Sequence, residues 1–341
     1  MISKRIKTGS IILTAAAIAF LSACSLILPD YDKGSEPEIV LRYAEVNPAD
    51  HIITRTGRYF ADRVKELSEG RIEVEVYEAG KLGNDAQYYD QLRMGALDMY
   101  RGNAIALEGM SDIDMEAGVM TMPYLFRDND HFWKVCDGEL GAEILADIRD
   151  SGSNMVGLCF LDEGARNIMT VNAPVQKVSD LQGLKIRSME DDLLCDVIRA
   201  TGAEPVVMDY ADVYSALQAG TVDGAENPVC SYYSNQFYKV APYYTVDAHT
   251  HSPSIILMSE LTWKNFTEED RQILLQAAEL AKEYNKAEIE AAERETYDRL
   301  AEENVTVIRL DDMSEWQDAM KPVYDSHVGN HLGLIERIRD I

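Results

Sequence analysis

Residues 180–227 limit the fold more than any other part of the chain. They read DLQGLKIRSMEDDLLCDVIRATGAEPVVMDYADVYSALQAGTVDGAEN. Leu184–Arg187 alternates apolar and polar residues, as a short strand does. Asp191–Ala200 puts Leu193, Leu194, Val197 and Ile198 on one helical face, and Gly202 stands where a left-handed cap would end the helix. Pro205–Met208 is a second strand. Asp209 then offers a carboxylate to the free N–H groups of another helix, which Gly220 stops, and residues 221–227 return to extended chain. The order β-α-β-α-β belongs to parallel strands joined by helical crossovers, so the fold class is α/β. Ligands gather beyond the carboxyl ends of strands in open sheets of this kind. Arg187 and Asn227 stand at two such ends. An Arg there presents a planar fork that grips a carboxylate through two hydrogen bonds. From the residues alone, an Arg that is solvated or paired with a nearby carboxylate is the simpler reading.

Three segments are similar to a known family: GLKIR, GAEPVVM and Tyr214–Asn227 (YSALQAGTVDGAEN). They resemble the solute-binding proteins, DctP-like, of tripartite ATP-independent periplasmic (TRAP) transporters. The likeness extends through LRYAEVNPADH at 41–51, VYEAGKLG at 76–83, MPYLFRD at 122–128 and GARNIMT at 164–170. It implies a two-lobed periplasmic-binding-protein-like fold, with a ligand cleft between lobes and a long spine helix crossing both. The resemblance also implies a site. Arg187 would hold the ligand carboxylate, helped by Arg166 at the crossover and Asn227 at the end of VDGAEN. Tyr210 would form an aromatic wall. Asp85, Asn103 and His51 would touch the distal part of the ligand. For Asp85 a helix cap is an equal alternative.

At 341 residues the chain has room for two domains. Residues 38–163 with 253–285 are expected to form lobe one, and 164–252 with 286–341 lobe two. Ile39–Ala44 reads as a buried strand, Thr54–Ser68 as a helix and Arg71–Tyr77 as an alternating strand. A helix over Ala86–Met94, stopped by Gly95, leads to a strand over Ala96–Tyr100. An echo follows: Tyr89, Leu92, Gly95 and Asp98 recur at the same spacing as Tyr214, Leu217, Gly220 and Asp223. Two lobes sharing a helix-to-strand unit would explain it, and so would the commonness of such caps. Residues 131–149 are helical with a break near Gly138. A strand over Asn154–Phe160 leads to the crossing at Gly164–Asn167. The tyrosines of 232–244 suggest lobe surface or an interface rather than a stacking site. His249–Met258 is a strand returning to lobe one. Thr267–Asn304 has no Gly or Pro and begins with Thr267 and Asp270 as a capping box. One helix of about 37 residues, roughly 55 Å, would cross both lobes; two helices with an unmarked break is the alternative. A strand over Val305–Leu310 and a helix over Met313–Val328 close the chain.

The formal net charge of −27 argues against a nucleic-acid partner, which needs a basic face. It also means that a substrate carboxylate must be drawn by local Arg residues against the overall field. Lys4, Arg5 and Lys7 precede an apolar run at 11–20, too short for a bilayer that takes roughly 20 residues, and LSAC at 21–24 resembles a lipoprotein box. Residues 1–23 are therefore expected to be a signal peptide, Cys24 a lipid attachment point and 24–37 a tether. The expected location is extracytoplasmic, on the outer face of the cell membrane. No hydrolase elbow, phosphate loop or HExxH motif occurs, so neither an enzyme nor a cofactor is implied. His249 and His251 share a strand face but lack a third metal ligand, so no metal site is assigned. Cys136, Cys159, Cys195 and Cys230 contain no CxxC; disulfides and inert thiols both stay open.

The expected partners are a small organic acid and the membrane subunits of a TRAP-type transporter, with the protein itself a monomer. The acceptor-rich distal positions favour a sugar acid, a uronate or aldonate, unless Arg101 turns inward. The alternatives are a C4-dicarboxylate binder, a sensory binding protein and an extracytoplasmic enzyme on a similar scaffold.

Overall fold

Among the described residues, nine strands form one sheet whose order is symmetric about its middle. They are β1 (Ile39–Ala44), β2 (Ile72–Tyr77), β3 (Met99–Asn103), β4 (Met155–Thr170), β5 (Lys185–Ser188), β6 (Glu204–Val207), β7 (Gly224–Pro228), β8 (Tyr243–Ser259) and β9 (Thr306–Arg309). The computed structural model describes residues 36–109 and 116–341, and Pro37–Ile341 is one compact unit. The strand order is β2-β1-β3-β8-β4-β7-β5-β6, with β9 added beside β8. One half is the parallel set β2-β1-β3, and the other the parallel set β6-β5-β7. The long antiparallel pair β8 and β4 runs between them. The signal segment, Cys24 and all but the last two residues of the tether lie outside the described residues.

The recurring Tyr-Leu-Gly-Asp spacing does the same job twice. Gly95 and Gly220 end their helices at φ 72° and 68°, a left-handed conformation that glycine adopts without strain. Three residues on, Asp98 Oδ2 accepts from the backbone N–H of Arg42 at 3.0 Å, and Asp223 Oδ2 accepts from that of Lys185 at 2.9 Å. Each carboxylate thus pins the chain entering a half's third strand (β3 or β7) to the first strand of that half (β1 or β5). The two halves are the same β-α-β-α-β unit. Their strand ends converge from opposite sides on the central pair.

The central pair carries a bulge where the halves meet. Asp162 pairs with Pro253 and Ala165 with His251, so Glu163 and Gly164 together oppose Ser252. Gly164 has φ 90°, which lets the strand absorb the extra residue. The crossing expected at Gly164–Asn167 lies within the 16-residue strand β4, which runs on past Phe160. A single helix, Glu268–Glu302, spans 35 residues, or about 52 Å at 1.5 Å rise per residue, so the two-helix alternative falls. Its Asn285 grips the bulge with both amide atoms: Oδ1 accepts from Asp162 N–H at 2.7 Å, and Nδ2 donates to the Asp162 carbonyl at 3.1 Å.

Several local expectations need correction. Asp209 makes no capping bond, because the chain first takes a 3-10 turn at Tyr210–Asp212 before the helix Val213–Ala219. Its carboxylate instead accepts from Asn84 Nδ2 at 3.0 Å. Tyr232 and Tyr244 are fully buried and stacked at 4.5 Å, so they are core rather than surface. The helix expected over Met313–Val328 is two, Ser314–Ala319 and Lys321–His327, since Pro322 cannot donate into a continuing helix. A further helix, Leu332–Asp340, follows. The four described cysteines are buried free thiols. Burial pushes the Cys159 and Cys230 thiols up to about 12, which leaves them inert at neutral pH.

Candidate functional site

The carboxyl ends of both half-sheets face one cavity of about 40 Å³. From the first half come Val46, Asn47, Asp85, Arg101 and Asn103; from the second, Arg187, Met189, Tyr210, Asn227 and Ser231. The bulged strand β4 adds Glu163 and Arg166. A wider cavity of 400 Å³ shares Val46, Asp85 and Tyr210 with it and is walled by Asn84, Tyr214 and Phe237. Six residues that the sequence nominates are therefore gathered in one place: Arg187, Arg166, Asn227, Tyr210, Asn103 and Asp85. His51 is not among the lining residues.

Three buried guanidiniums face this cavity, and they differ in what neutralises them. Arg101 donates to Glu45 at 3.0 and 2.5 Å and to Glu163 at 3.0 Å. Arg166 grips Glu226 through Nε and Nη2, the latter at 2.7 Å, and touches Ser252 Oγ at 3.3 Å. Arg187 has no such partner: its Nε and Nη2 donate to the Met208 carbonyl at 3.1 and 2.8 Å, and its fork lies 5.7 Å from the Tyr210 ring centre. Among the described residues no carboxylate comes within ion-pair distance of it. Arg187 is only 2% exposed, and burial, with Arg166 nearby, lowers its affinity for the proton. A desolvated cation without a counter-ion is costly, and an incoming carboxylate offsets that cost.

Asn227 adds a second open valence. Its backbone carbonyl accepts from Tyr244, while its buried side-chain Nδ2 has no hydrogen-bond partner. Asp85 is not a cap; Asn84 caps that helix by accepting from Gln87 N–H at 2.9 Å. Asp85 instead accepts from the Tyr100 hydroxyl, and burial raises its carboxyl above the usual range. Burial likewise raises Glu163, against the pull of Arg101. Asn103 donates to Glu163 at 3.2 Å and to Ser252 Oγ at 2.8 Å.

His51 acts one step back. It caps the helix Ile52–Leu67, its Nδ1 accepting from Ile53 N–H at 3.2 Å. Burial, then Arg101 and Arg55, pushes its pKa down to about 3, so the ring is neutral and its proton sits on Nε2. Nε2 donates to Ser231 Oγ at 3.0 Å, which leaves the Ser231 hydroxyl proton free to point into the cavity. Ser231, Glu163 and the inward turn of Arg101 are the parts that sequence reading did not assign. Behind Arg166, Glu226 lies 3.5 Å from His249 Nε2, and His249 Nδ1 lies 2.7 Å from Asp247. His251 pairs with Asp162 at 2.8 Å. The two histidines thus serve different carboxylates, and no cluster that could hold a metal occurs among the described residues.

Residues 43–330 match the bacterial extracellular solute-binding proteins, family 7, the DctP family. The chain belongs to this family. A solute-binding protein of Chromohalobacter salexigens is 31% identical over 342 residues, covering 99% of this chain and 98% of the relative. A TRAP periplasmic solute-binding protein from Bradyrhizobium sp. BTAi1, solved with galacturonate, shares 35% identity at a TM-score of 0.84, over 88% of this chain and 99% of its own. One from Sulfurospirillum deleyianum, solved with succinate, shares 28% identity at a TM-score of 0.83, over 89% and 99%. The family-7 fold is two-lobed, and the cavity described above sits at the junction of its halves.

Proposed function

We propose that this solute-binding protein captures a sugar acid, a hexuronate or aldonate, by its single carboxylate and delivers it to a TRAP-type membrane transporter. The observation that supports this reading is the lone Arg187. Of three guanidiniums at the cavity, two already have carboxylate partners within the protein. One unneutralised cation suits one ligand carboxylate, and the unpartnered Nδ2 of Asn227 is a donor for the same group. Arg166, tied to Glu226, contributes field and shape more than a free fork. The rest of the wall is rich in acceptors, Asp85 and Glu163 above all. Acceptors favour hydroxyls and repel a second carboxylate. Arg101 does turn inward, yet Glu45 and Glu163 outnumber its charge, so the case for a sugar acid survives it. Tyr210 and Ser231 would supply a ring wall and a hydroxyl donor.

Similar proteins have been solved with galacturonate in one case and succinate in another, so the fold accommodates both classes. A cavity of about 40 Å³ is little more than the ~30 Å³ share of one water in the liquid. A hexuronate is several times larger, so it would also fill part of the adjoining 400 Å³ cavity, with the lobes parting to admit it. The reading includes no bond chemistry. A thermal-shift panel checks it, because a tight ligand stabilises the folded state by mass action. Glucuronate, galacturonate or galactonate raises the melting temperature, and succinate and malate do not. Stabilisation by the dicarboxylates alone would refute the choice of substrate and leave the family intact.

We also propose that the protein is extracytoplasmic and lipid-anchored through Cys24 after loss of residues 1–23. The support is the charged start, the short apolar run and LSAC. Among the described residues no helix is long and apolar enough to cross a membrane. Mass spectrometry of the mature N-terminus finds a diacylated or triacylated Cys24; an unmodified residue there removes the anchor.

A further inference from the structure

We infer that Glu163 sets the preference for one carboxylate over two, by occupying with its own carboxylate the place on Arg101 that a second substrate carboxylate would take. This rests on the sugar-acid reading above and names the device behind it. Arg101 lies on β3, on the opposite half from Arg187, so the two guanidiniums face the cavity from its two sides. An α,ω-dicarboxylate would bridge such a pair.

The two partners of Arg101 are not equivalent. Glu45 binds the Nε and Nη2 edge and does not line the cavity; it is held by Asn47 through N–H at 2.8 Å and Nδ2 at 3.0 Å. Glu163 does line the cavity and takes the remaining nitrogen, Nη1, at 3.0 Å. The first carboxylate orients the guanidinium. The second, which lines the cavity, takes up the remaining nitrogen. Two carboxylates on one guanidinium leave that wall with a net negative charge, which repels an approaching anion. Glu163 stands in the β4 bulge, where it and Gly164, at φ 90°, together oppose Ser252. Asn103 then fixes its Oε1 from the side. With Glu163 in the bulge and Glu45 behind it, the Arg101 side of the cleft presents acceptors and leaves Arg187 as the guanidinium without a carboxylate partner.

The test compares two ligands that differ only at one end. Galactonate and galactarate share a carbon skeleton and hydroxyl stereochemistry; the first ends in CH2OH and the second in a carboxylate. Calorimetric titration of the wild type, Glu163→Gln and Glu163→Ala with both gives an affinity ratio for each protein. The Gln variant keeps the side-chain shape and an acceptor for Asn103 while removing the charge. The Ala variant also opens room beside Arg101. The wild-type ratio favours galactonate, Glu163→Gln lowers it by at least about tenfold, as expected for relief of a like-charge contact, and Glu163→Ala lowers it further. A merely structural role for Glu163 would weaken both ligands together and leave the ratio where it was; that result overturns the inference while the sugar-acid reading stands. A wild type that binds neither galactonate nor any hexuronate defeats both. If Glu163→Ala melts too low to titrate, the near-isosteric Gln variant decides.

Discussion

Replacing Arg187 with Ala is expected to weaken binding of the sugar acid by about 2–5 kcal/mol, the range for truncating one partner of a buried charge pair. The fold itself should tolerate the change. The side chain's hydrogen bonds within the protein go to one carbonyl, that of Met208, and no carboxylate among the described residues forms an ion pair with it. Removing a desolvated cation relieves an unpaired charge, so the melting temperature without ligand stays level or rises. Arg187→Lys also binds poorly, because an ammonium lacks the planar fork that two carboxylate oxygens need. Titration calorimetry read alongside thermal melts separates these effects. Affinity near that of the wild type in Arg187→Ala would remove Arg187 as the anchor.

The second large effect belongs to Glu226, whose role is to hold the site together. Burial alone would raise its carboxyl, but Arg166 and His249 outweigh burial and hold it at about 2. His249 is also disfavoured as a cation by burial, yet Asp247 and Glu226 raise it to about 9. Glu226→Ala leaves Arg166 buried without its counter-ion and is expected to cost about 3–5 kcal/mol of stability. The pH dependence follows from the direction of each shift. The depressed Glu226 carboxyl contributes stability above its ordinary value of 4.5, and this is lost as pH falls from there towards 2. The raised His249 contributes stability in full below its ordinary 6.5, and this is lost as pH rises through 9. The cluster therefore stabilises most between about 4.5 and 6.5. Melting curves from pH 3 to pH 10 should show the wild-type advantage over Glu226→Ala largest in that window and shrinking on both sides. A difference that is constant with pH would mean that the network is packing rather than charge.

The repeating local units were legible in the sequence because they obey local rules. Apolar spacing and end-capping glycines located both β-α-β-α-β units. The echo of Asp98 in Asp223 has a physical cause, since each carboxylate ties its half's third strand to its first. What could not be read depends on register between strands distant in the chain. Arg101 meets Glu45 and Glu163, 56 and 62 residues away, and Arg166 meets Glu226, 60 residues away. No local pattern announces such a pairing, so the sequence does not reveal which Arg stays free for a ligand. The bulge at Glu163 was hidden for a related reason: GARN looks like a connection, and only the ladder opposite Ser252 shows it to be strand with one residue too many. Likeness to the family puts His51 near the ligand. Its need to cap a helix draws the ring back and leaves Ser231 as the group at the cavity.

A crystal structure of the protein with galacturonate bound tests the central claim most directly. The account predicts the carboxylate bidentate on the Arg187 fork, with Asn227 Nδ2 donating to it and the ring hydroxyls turned toward Asp85 and Glu163. A carboxylate seated on Arg101, with Glu163 displaced and hydroxyls facing Arg187, would contradict it.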